Sequence, residues 1–237
     1  MSYALDNVQI VVLAGGLATR LGDLAQNRPK SMVNINGKPF LQHQLELFKR
    51  QGIFRVLICL GHLGEQIESH FGDGNHFGID ITYSYENKPL GTAGALKNAG
   101  RFLDDIFFTI YGDSYVFLNF SDAWHYFQSN NKLALMTVYK NNNLFDTSNT
   151  VIRGDHVLKY NKHEKAADMN YIEYGVNIFR KDIMSGIPED SFYELGDVFT
   201  PLIEEEQLLA YEVKERFYEI GSPKGIEEFK KFIGGET

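Results

Sequence analysis

Hydrophobic residues in the first half of the chain occur in short continuous runs, separated by segments in which they recur at helical spacing. Residues 8–14, 54–60 and 106–111 are apolar at nearly every position, as is typical of central strands covered on both faces. Apolar positions at helical spacing over residues 40–48 predict a helix, which Gly52 ends. This alternation of strand and helix predicts βαβ units with a parallel sheet.

The remaining patterns extend the same architecture toward the end of the chain. They predict helices over residues 64–71, 91–102, 195–206 and 222–232, and strands over residues 79–85, 133–139, 174–179 and 208–213. Residues 150–153 and 156–159 flank a two-residue turn and predict an antiparallel hairpin, which would form a lid or flanking lobe. The predicted fold class is α/β, with a doubly wound, mostly parallel sheet and a small antiparallel lobe. Ligands are expected outside the carboxyl ends of the strands.

Composition and charge narrow the classes of function. The chain has 237 residues, 43% of them hydrophobic, enough for one α/β domain with a substantial core. The net charge of −8 disfavours a nucleic-acid partner. Cys59, the single cysteine, lies within an apolar run, so a disulfide framework and a cysteine-based metal site are both excluded. No leader pattern is visible and no apolar run approaches the ~18 residues of a membrane span. We therefore expect a cytoplasmic protein with no membrane partner.

The loop after the first strand contains residues suited to binding a polyphosphate. Gly15 and Gly16 let backbone N–H groups approach phosphates, while Arg20 and Lys30 supply positive charge. Taken alone, two glycines after a strand are equally typical of a turn that needs glycine for its geometry. The spacing matches neither G-x-x-x-x-G-K-[ST] nor G-x-G-x-x-G, so a P-loop and a Rossmann dinucleotide site are both disfavoured.

Four further motifs follow this loop in a fixed order. In sequence, the five are Leu13-Ala14-Gly15-Gly16 with Thr19-Arg20-Leu21 and Pro29-Lys30, then Pro89-Leu90-Gly91-Thr92-Ala93-Gly94, Gly112-Asp113-Ser114, Glu164-Lys165 and Glu219-Ile220-Gly221-Ser222-Pro223. Together they resemble the signature of the sugar-phosphate nucleotidyltransferases, the NDP-sugar pyrophosphorylases, over nearly the whole chain. The segment 37–41 looks most like the branch of heptose and mannose 1-phosphate guanylyltransferases.

The resemblance implies a Rossmann-like nucleotidyltransferase fold and a two-substrate reaction. A sugar 1-phosphate would attack the α-phosphorus of a nucleoside triphosphate (NTP), giving an NDP-sugar and pyrophosphate. The chain would be one domain, residues 1–237, with a nucleotide-binding part over about 1–120 and a sugar-phosphate-binding part over about 121–237. A homodimer is also consistent with the resemblance.

By the same resemblance, individual residues acquire expected roles. The catalytic residues would be Arg20, Lys30 and Asp113. Nucleotide binding would involve Leu13, Ala14, Gly15, Gly16, Arg20, Glu86, Gly91 and Thr92. The sugar phosphate would be bound by Glu164, Lys165, Tyr174 and Gly175. Mg²⁺, which prefers oxygen ligands and phosphates, would be held by Asp113 and Glu219, where the family usually has Asp in place of Glu219.

Each of these roles has an alternative that the sequence leaves open. Asp113 could cap a turn, Glu86 could be a solvated charge instead of reading a guanine edge, and Tyr174 could pack in the core instead of stacking on a sugar. The usual Asn-Ala-Gly stretch of the family is replaced over residues 171–177, which leaves the sugar open.

The competing functions differ in class. A cytidylyltransferase or uridylyltransferase acting on another sugar phosphate, amino sugars included, shares the loop motifs. A non-catalytic relative that binds nucleotide sugars would be expected to lose Arg20, Lys30 or Asp113, and this chain keeps all three. A glycosyltransferase typically has an Asp-x-Asp metal site, whereas Asp113 is followed by Ser114 and Tyr115.

Overall fold

The computed structural model describes residues 5–16, 27–164 and 166–235. The strands in this part of the chain are β1 (Gln9–Leu13), β2 (Asn34–Ile35), β3 (Lys38–Pro39), β4 (Arg55–Leu60), β5 (Asp80–Tyr85), β6 (Ile106–Tyr111), β7 (Ser114–Tyr115), β8 (Ala134–Lys140), β9 (Thr150–Arg153), β10 (His156–Tyr160), β11 (Tyr171–Arg180), β12 (Leu208–Val213) and β13 (Tyr218–Glu219). The helices are α1 (Phe40–Arg50), α2 (Gly64–Phe71), α3 (Gly91–Asn98), α4 (Phe120–Gln128), α5 (Leu195–Glu204) and α6 (Pro223–Gly234).

The main sheet is mixed in direction. Its strand order within the described residues is β5-β4-β1-β6-β11-β8-β12-β10-β9. The first four strands are parallel, and β12 is parallel to β8. Strand β11, however, lies antiparallel between β6 and β8. The α/β prediction is therefore confirmed, while a mostly parallel sheet is not found, because a buried apolar run marks a strand without marking its direction.

The predicted hairpin forms, but it does not build a separate lobe. Strands β9 and β10 pair around the turn, and β10 joins the edge of β12 through His156 and Leu209. Strand β9 also contacts β11 through Thr150 and Tyr171. The hairpin thus continues the main sheet, because an uncovered edge of β12 would leave its backbone N–H and C=O groups unpaired.

Helices cover both faces of the sheet, which accounts for the continuous apolar strands. In β1, Ile10 and Val12 belong to the core beneath α1, α2, α4 and α6. The alternate residues Val11 and Leu13 belong to the core beneath α3 and α5. Because successive side chains of a strand point to opposite faces, both sets are buried.

Helix α4 was not predicted from the sequence, although its signals are present. The side chain of Asn119 accepts a hydrogen bond from the backbone N–H of Asp122 and so caps the helix. Phe120, Ala123 and Phe127 then bury one face of the helix. No helix in the described ranges is both long enough and apolar enough to cross a membrane.

A short ladder connects the end of the chain to the carboxyl end of β6. Strand β13 pairs antiparallel with β7, and the backbone N–H of Ile220 donates to the carbonyl oxygen of Asp113 at 3.0 Å. Helix α6 follows at once, capped by the hydroxyl of Ser222, and its Phe229 packs against the rings of Phe40 and Tyr115. Packing of α6 therefore fixes residues 218–222 beside Asp113.

Candidate active site

The carboxyl ends of β1 and β6 lie in direct contact. The backbone N–H of Gly112 donates to the carbonyl oxygen of Leu13 at 3.0 Å. A Cβ atom on Gly112 would lie 3.0 Å from that oxygen and 3.2 Å from the Cβ of Ala14, closer than ordinary contacts allow. Glycine at position 112 thus brings Asp113 next to the glycine loop at residues 15–16. A Cβ atom on Gly16 would meet no atom of the described residues within 4 Å.

Glu86 lies against the glycine loop. Its Oε1 atom would be 3.0 Å from a Cβ atom on Gly15 and 2.8 Å from one on Gly61. Its Oε2 atom accepts a hydrogen bond from the backbone N–H of Leu90 at 3.3 Å. Burial raises the pKa of the Glu86 carboxyl, and the Leu90 N–H partly offsets the rise. Glu86 is therefore held beside the loop and is half-buried there, and the reading of a guanine edge by its carboxyl stays a prediction.

The start of α3 is fastened to the start of α5. Gly91 has a φ of +72°, and a Cβ atom there would lie 2.7 Å from the carbonyl oxygen of Tyr193. The Thr92 hydroxyl donates to Glu194 at 2.9 Å and accepts from the backbone N–H of Leu195 at 2.8 Å. The hydroxyl of Thr92 is thus engaged in joining the two helices, and nucleotide binding by Gly91 and Thr92 stays a prediction.

Lys30 and Asp113 form an ion pair at the same edge of the sheet. Lys30 begins a short 3₁₀ turn, and its Nζ atom lies 2.8 Å from Oδ2 of Asp113. The two side chains are 21% and 27% exposed, so the pair is partly shielded but reachable. A Cβ atom on Gly221 would lie within 4 Å of both charged atoms, so the absence of a side chain there leaves space above the pair.

Glu219 completes the charged cluster from the other end of the chain. Glu219 lies on β13, where it pairs with Ser114 of β7, the residue next to Asp113. The residue as a whole is exposed, yet its carboxyl is crowded by protein. Loss of solvation, together with the negative charges of Asp113 and Asp146, raises the pKa of Glu219 to about 7, against smaller opposing effects of Lys162 and Lys30.

Two neighbouring carboxyl groups suit a divalent cation. Two neighbouring carboxylates repel each other, and a cation between them turns that repulsion into attraction. Mg²⁺ characteristically takes one or two carboxylates and completes its shell with water and phosphates. Within the described residues, no group of three or more His, Cys, Asp or Glu side chains forms a closed metal cage. Asp113 and Glu219 are therefore the described residues that could hold Mg²⁺ together with phosphate oxygens, and magnesium binding stays a prediction.

The predicted sugar-phosphate residues are only partly brought together. Lys165 lies outside the described residues, as does Arg20, which is predicted to bind the nucleotide and take part in catalysis. Glu164 is exposed, and its backbone N–H donates to the side chain of Asn161 at 2.9 Å. Gly175 has a φ of +92°, and a Cβ atom there would lie 3.4 Å from both Oγ of Ser114 and Cδ2 of Tyr111. Gly175 thus lies beside the Asp113 segment.

Tyr174 does not face this cleft. Its side chain is fully buried in the core beneath α1 and α6, where its hydroxyl accepts a hydrogen bond from the backbone N–H of Phe117 at 3.0 Å. Of the two roles that the sequence left open for Tyr174, packing in the core is the one that the structure shows. Stacking of this ring on a sugar is corrected, because alternate residues of a strand face opposite sides of the sheet.

Comparison with known proteins decides the family. The profile of the family described as "Nucleotidyl transferase" matches residues 9–235, nearly the whole chain. The chain belongs to the nucleotidyl transferase family. The Synechocystis UTP–glucose-1-phosphate uridylyltransferase is 30% identical over 83% of this chain and 55% of its own length. The D-glycero-α-D-manno-heptose 1-phosphate guanylyltransferase of Campylobacter jejuni is 29% identical over 94% of this chain and 98% of its own length.

Solved structures agree with this assignment. The crystal structure of HddC from Yersinia pseudotuberculosis complexed with GMP-PN is 28% identical, with a TM-score of 0.81 over 95% of this chain and 99% of that chain. The predicted resemblance is therefore confirmed. So is the predicted class of enzyme, a nucleotidyltransferase whose named relatives act on sugar 1-phosphates. These relatives include both guanylyl- and uridylyltransferases.

One buried carboxyl group of this nucleotidyl transferase was missed by sequence reasoning. Glu173 is 7% exposed, and its carboxylate accepts hydrogen bonds from Asn177 at 3.0 Å and from the Tyr111 hydroxyl at 3.2 Å. The available signal was an acidic residue in a segment, 171–180, most of whose residues are apolar. Its orientation was not available, because the pairing of β11 with β8 changes register between Glu173 and Asn177.

Proposed function

We propose that this protein transfers a guanylyl group from GTP to a sugar 1-phosphate of the heptose or mannose type, giving a GDP-sugar and pyrophosphate. The observation that carries the proposal is the convergence of Lys30, Asp113 and Glu219 beside the glycine loop, at the carboxyl ends of β1 and β6. Lys30 directly, and the two carboxylates through a bound Mg²⁺, would there hold two phosphate groups close together.

The proposed reaction is a displacement at the α-phosphorus. An oxygen of the sugar phosphate forms a bond to that phosphorus, and the bond to the bridging oxygen of the β-phosphate breaks, so pyrophosphate leaves with both bonding electrons. The task of the protein is to align the two phosphates and to neutralise the negative charge that grows on them. In this proposal Lys30 leaves Asp113 to meet a phosphate oxygen, since its ammonium is a compact charge on a flexible stem. Arg20 would bind the triphosphate from the loop.

In this proposal Asp113 and Glu219 hold Mg²⁺, and Glu219 binds in its ionised form. Bound there, the cation would supply further neutralisation of the phosphate charge and fix the phosphate oxygens in place. The two carboxylates would contribute position: Asp113 follows the end of β6, and the β7–β13 ladder pairs Glu219 with Ser114, the residue after Asp113.

The choice of guanine rests on Glu86. A carboxylate accepts hydrogen bonds only, and the edge of guanine offers two adjacent donors, N1–H and N2–H₂. Glu86 is held against Gly15 and Gly61, where a base bound by the loop would meet it. The Yersinia relative was solved with GMP-PN, which supports the same base here. Uridylyl transfer is the second candidate, favoured by the identity with the Synechocystis enzyme.

The test is a panel of GTP, ATP, CTP, UTP and dTTP against mannose, heptose and glucose 1-phosphates, measuring pyrophosphate release with and without Mg²⁺. We expect release only when a triphosphate, a sugar 1-phosphate and Mg²⁺ are all present, and fastest release with GTP. Glu86→Gln should lower kcat/KM for GTP by about 10- to 100-fold, the usual value of a hydrogen bond to a charged group. Glu65→Gln, an exposed change on α2, is the matched control. Silence across the panel with folded protein would refute the proposal.

A further inference from the structure

A buried glutamine on α1 holds the backbone on both sides of Asp113. Gln44 is fully buried, and its Nε2 atom donates to the carbonyl oxygens of Tyr111 at 2.9 Å and of Ser114 at 2.6 Å. A side-chain amide has two N–H donors, so these two bonds use both of them. The two carbonyl groups flank Gly112 and Asp113. One side chain thus closes residues 111–114, the Asp113 turn.

Two other backbone groups of the Asp113 turn are bonded to other elements. The N–H of Gly112 donates to the carbonyl oxygen of Leu13 in β1, and the carbonyl oxygen of Asp113 accepts from the N–H of Ile220, each at 3.0 Å. The turn is therefore held by α1, by β1 and by the segment after β13. The bonds of Gln44 come from a side chain, so a substitution can remove them and leave the backbone bonds in place.

Helix α1 also supports the cation of the Lys30–Asp113 ion pair. The N–H of Phe40, the first residue of α1, donates at 2.9 Å to the carbonyl oxygen of Val33, which ends the 3₁₀ turn that begins at Lys30. Phe40 and Gln44 are four residues apart, so they lie on the same side of the helix. One side of α1 thus holds both turns, whose charged groups lie 2.8 Å apart.

The amide oxygen of Gln44 indicates that this position is occupied for its donors. In the described part of the chain, its Oε1 atom is buried with no hydrogen-bond partner. A buried unpaired oxygen lowers stability, and an apolar side chain of the same length would avoid that loss. Such a side chain would, however, leave the two carbonyl groups beside Asp113 without the donors that hold them.

We propose that Gln44 is a positioning residue, which fixes the Asp113 carboxylate toward Lys30 and the phosphates by holding the backbone on either side of it. The proposal rests on the function proposed above and adds a residue that acts through Asp113. Partners that orient a metal ligand typically change metal affinity or activity by about 10- to 100-fold when they are replaced. A misplacement of about 1 Å at the reacting groups has an effect of similar size.

The experiment compares wild type with Gln44→Met, which keeps the length of the side chain and removes its donors. Gln9→Met is the matched control. Gln9 is 5% exposed and also bridges two backbone groups, donating to the carbonyl oxygen of Phe102 at 2.9 Å and accepting from the N–H of Asp104 at 3.0 Å. It lies at the amino end of β1, away from the cleft. Because each change removes two buried hydrogen bonds, both should lower the urea midpoint by similar amounts.

The two variants should differ in activity. With GTP and mannose 1-phosphate, we expect kcat of Gln44→Met to fall by about 10- to 100-fold, and the Mg²⁺ concentration for half-maximal rate to rise about tenfold. The KM values for the two substrates should stay within about threefold of wild type, because Gln44 contacts neither substrate in this proposal. Gln9→Met should keep kcat and the Mg²⁺ dependence within about twofold of wild type.

Backbone hydrogen exchange, measured without Mg²⁺ or substrate, provides a readout that does not depend on activity. We expect the N–H groups of Gly112 and Ile220 to exchange about tenfold faster in Gln44→Met than in Gln9→Met. The N–H of Ile58, in the middle of β4 between β1 and β5, should exchange at similar rates in both variants. A difference confined to Gly112 and Ile220 would show that the Asp113 turn has loosened locally.

The outcomes that overturn the proposal are distinct. One is a kcat and Mg²⁺ dependence of Gln44→Met equal to those of wild type. Another is an equal loss of kcat in Gln44→Met and Gln9→Met, because lower stability alone would then explain it. If Gln44→Met does not fold, Gln44→Asn, which keeps the amide on a shorter side chain, takes its place in the same measurements.

Failure of both Gln44 variants to fold, while Gln9→Met folds, would also overturn the proposal, because Gln44 would then serve only the core. Inactivity of wild type on every substrate pair would instead refute the proposed reaction. The exchange rates of Gly112 and Ile220 would still decide whether Gln44 fixes the Asp113 turn.

Discussion

Replacement of Lys30 by alanine should separate catalysis from stability. The ammonium of Lys30 lies 2.8 Å from Asp113 and is 21% exposed, so water screens it only in part. Two unit charges 4 Å apart near a protein surface attract by about 4 kcal/mol, an upper bound for its contact with a phosphate oxygen. Measured losses of one charge-stabilising donor are about 2.7–4 kcal/mol in the transition state. We therefore expect Lys30→Ala to lower kcat/KM by about 10²- to 10³-fold.

The same change should cost little folding free energy. A partly exposed ion pair contributes about 0–1 kcal/mol, and removal of Lys30 leaves Asp113 able to reach solvent. Lys38→Ala is the matched control, because Lys38 pairs with Glu46 at 2.7 Å on the neighbouring strand and helix, outside the cleft. It should leave kcat/KM within about twofold of wild type, as expected of a surface change.

For both Lys30→Ala and Lys38→Ala, steady-state pyrophosphate release measures kcat/KM, and urea denaturation measures the free energy of unfolding. Lys30→Arg adds a third measurement: the planar guanidinium keeps the charge but not the compact geometry, so it should restore kcat/KM only in part. Our account of Lys30 would be refuted if Lys30→Ala kept kcat/KM within about threefold of wild type. It would also be refuted if Lys38→Ala caused an equal loss of activity.

Two further predictions test how the site is held. A Cβ atom at Gly225 would overlap the backbone oxygen of Glu219, so Gly225→Ala should displace β13, lower stability by about 2 kcal/mol or more, and weaken Mg²⁺-dependent turnover. Among the described residues, a Cβ atom at Gly234, at the other end of α6, would meet only Asn36, at 3.6 Å, so Gly234→Ala should be neutral or stabilising by up to about 1 kcal/mol in urea denaturation. Tyr174→Phe removes the acceptor of the Phe117 N–H, so it should cost about 1–3 kcal/mol of stability and leave kcat/KM for both substrates unchanged. A selective rise in the sugar KM of Tyr174→Phe would contradict its assignment to the core.

The strands in the first half of the chain could be predicted because a strand that is buried on both faces is apolar at nearly every position. The predicted run 106–111 coincides with β6, and the predicted helix over residues 64–71 coincides with α2. Helix α4 was missed although its cap at Asn119 and its apolar face were legible. The direction of β11 could not be predicted, because a strand's direction in the sheet depends on the strands it pairs with and not on its own residues.

The candidate site, too, was predictable only in part. Asp113 and Glu219 could be assigned to one site from the sequence, because each belongs to a recognisable motif, and the pairing of β7 with β13 brings the two motifs together. The sequence did not show which face of the sheet Glu173 and Tyr174 each occupy, because the pairing of β11 with β8 changes register between Glu173 and Asn177. Such an irregularity is a property of strand pairing, and single-sequence patterns do not contain it.

The position of β11 in the sheet bears on how the chain is made. Strand β6 is complete at Tyr111, but its second neighbour in the sheet arrives only with residues 171–180. During synthesis, the edge of β6 therefore stays unpaired until residues 171–180 have been made. An unpaired, apolar strand edge is a surface on which other chains can align and aggregate. Closure of that edge by β11 also brings Gly175 against the Asp113 segment. Newly made chains should thus lose their tendency to aggregate at the same stage at which the cleft is assembled.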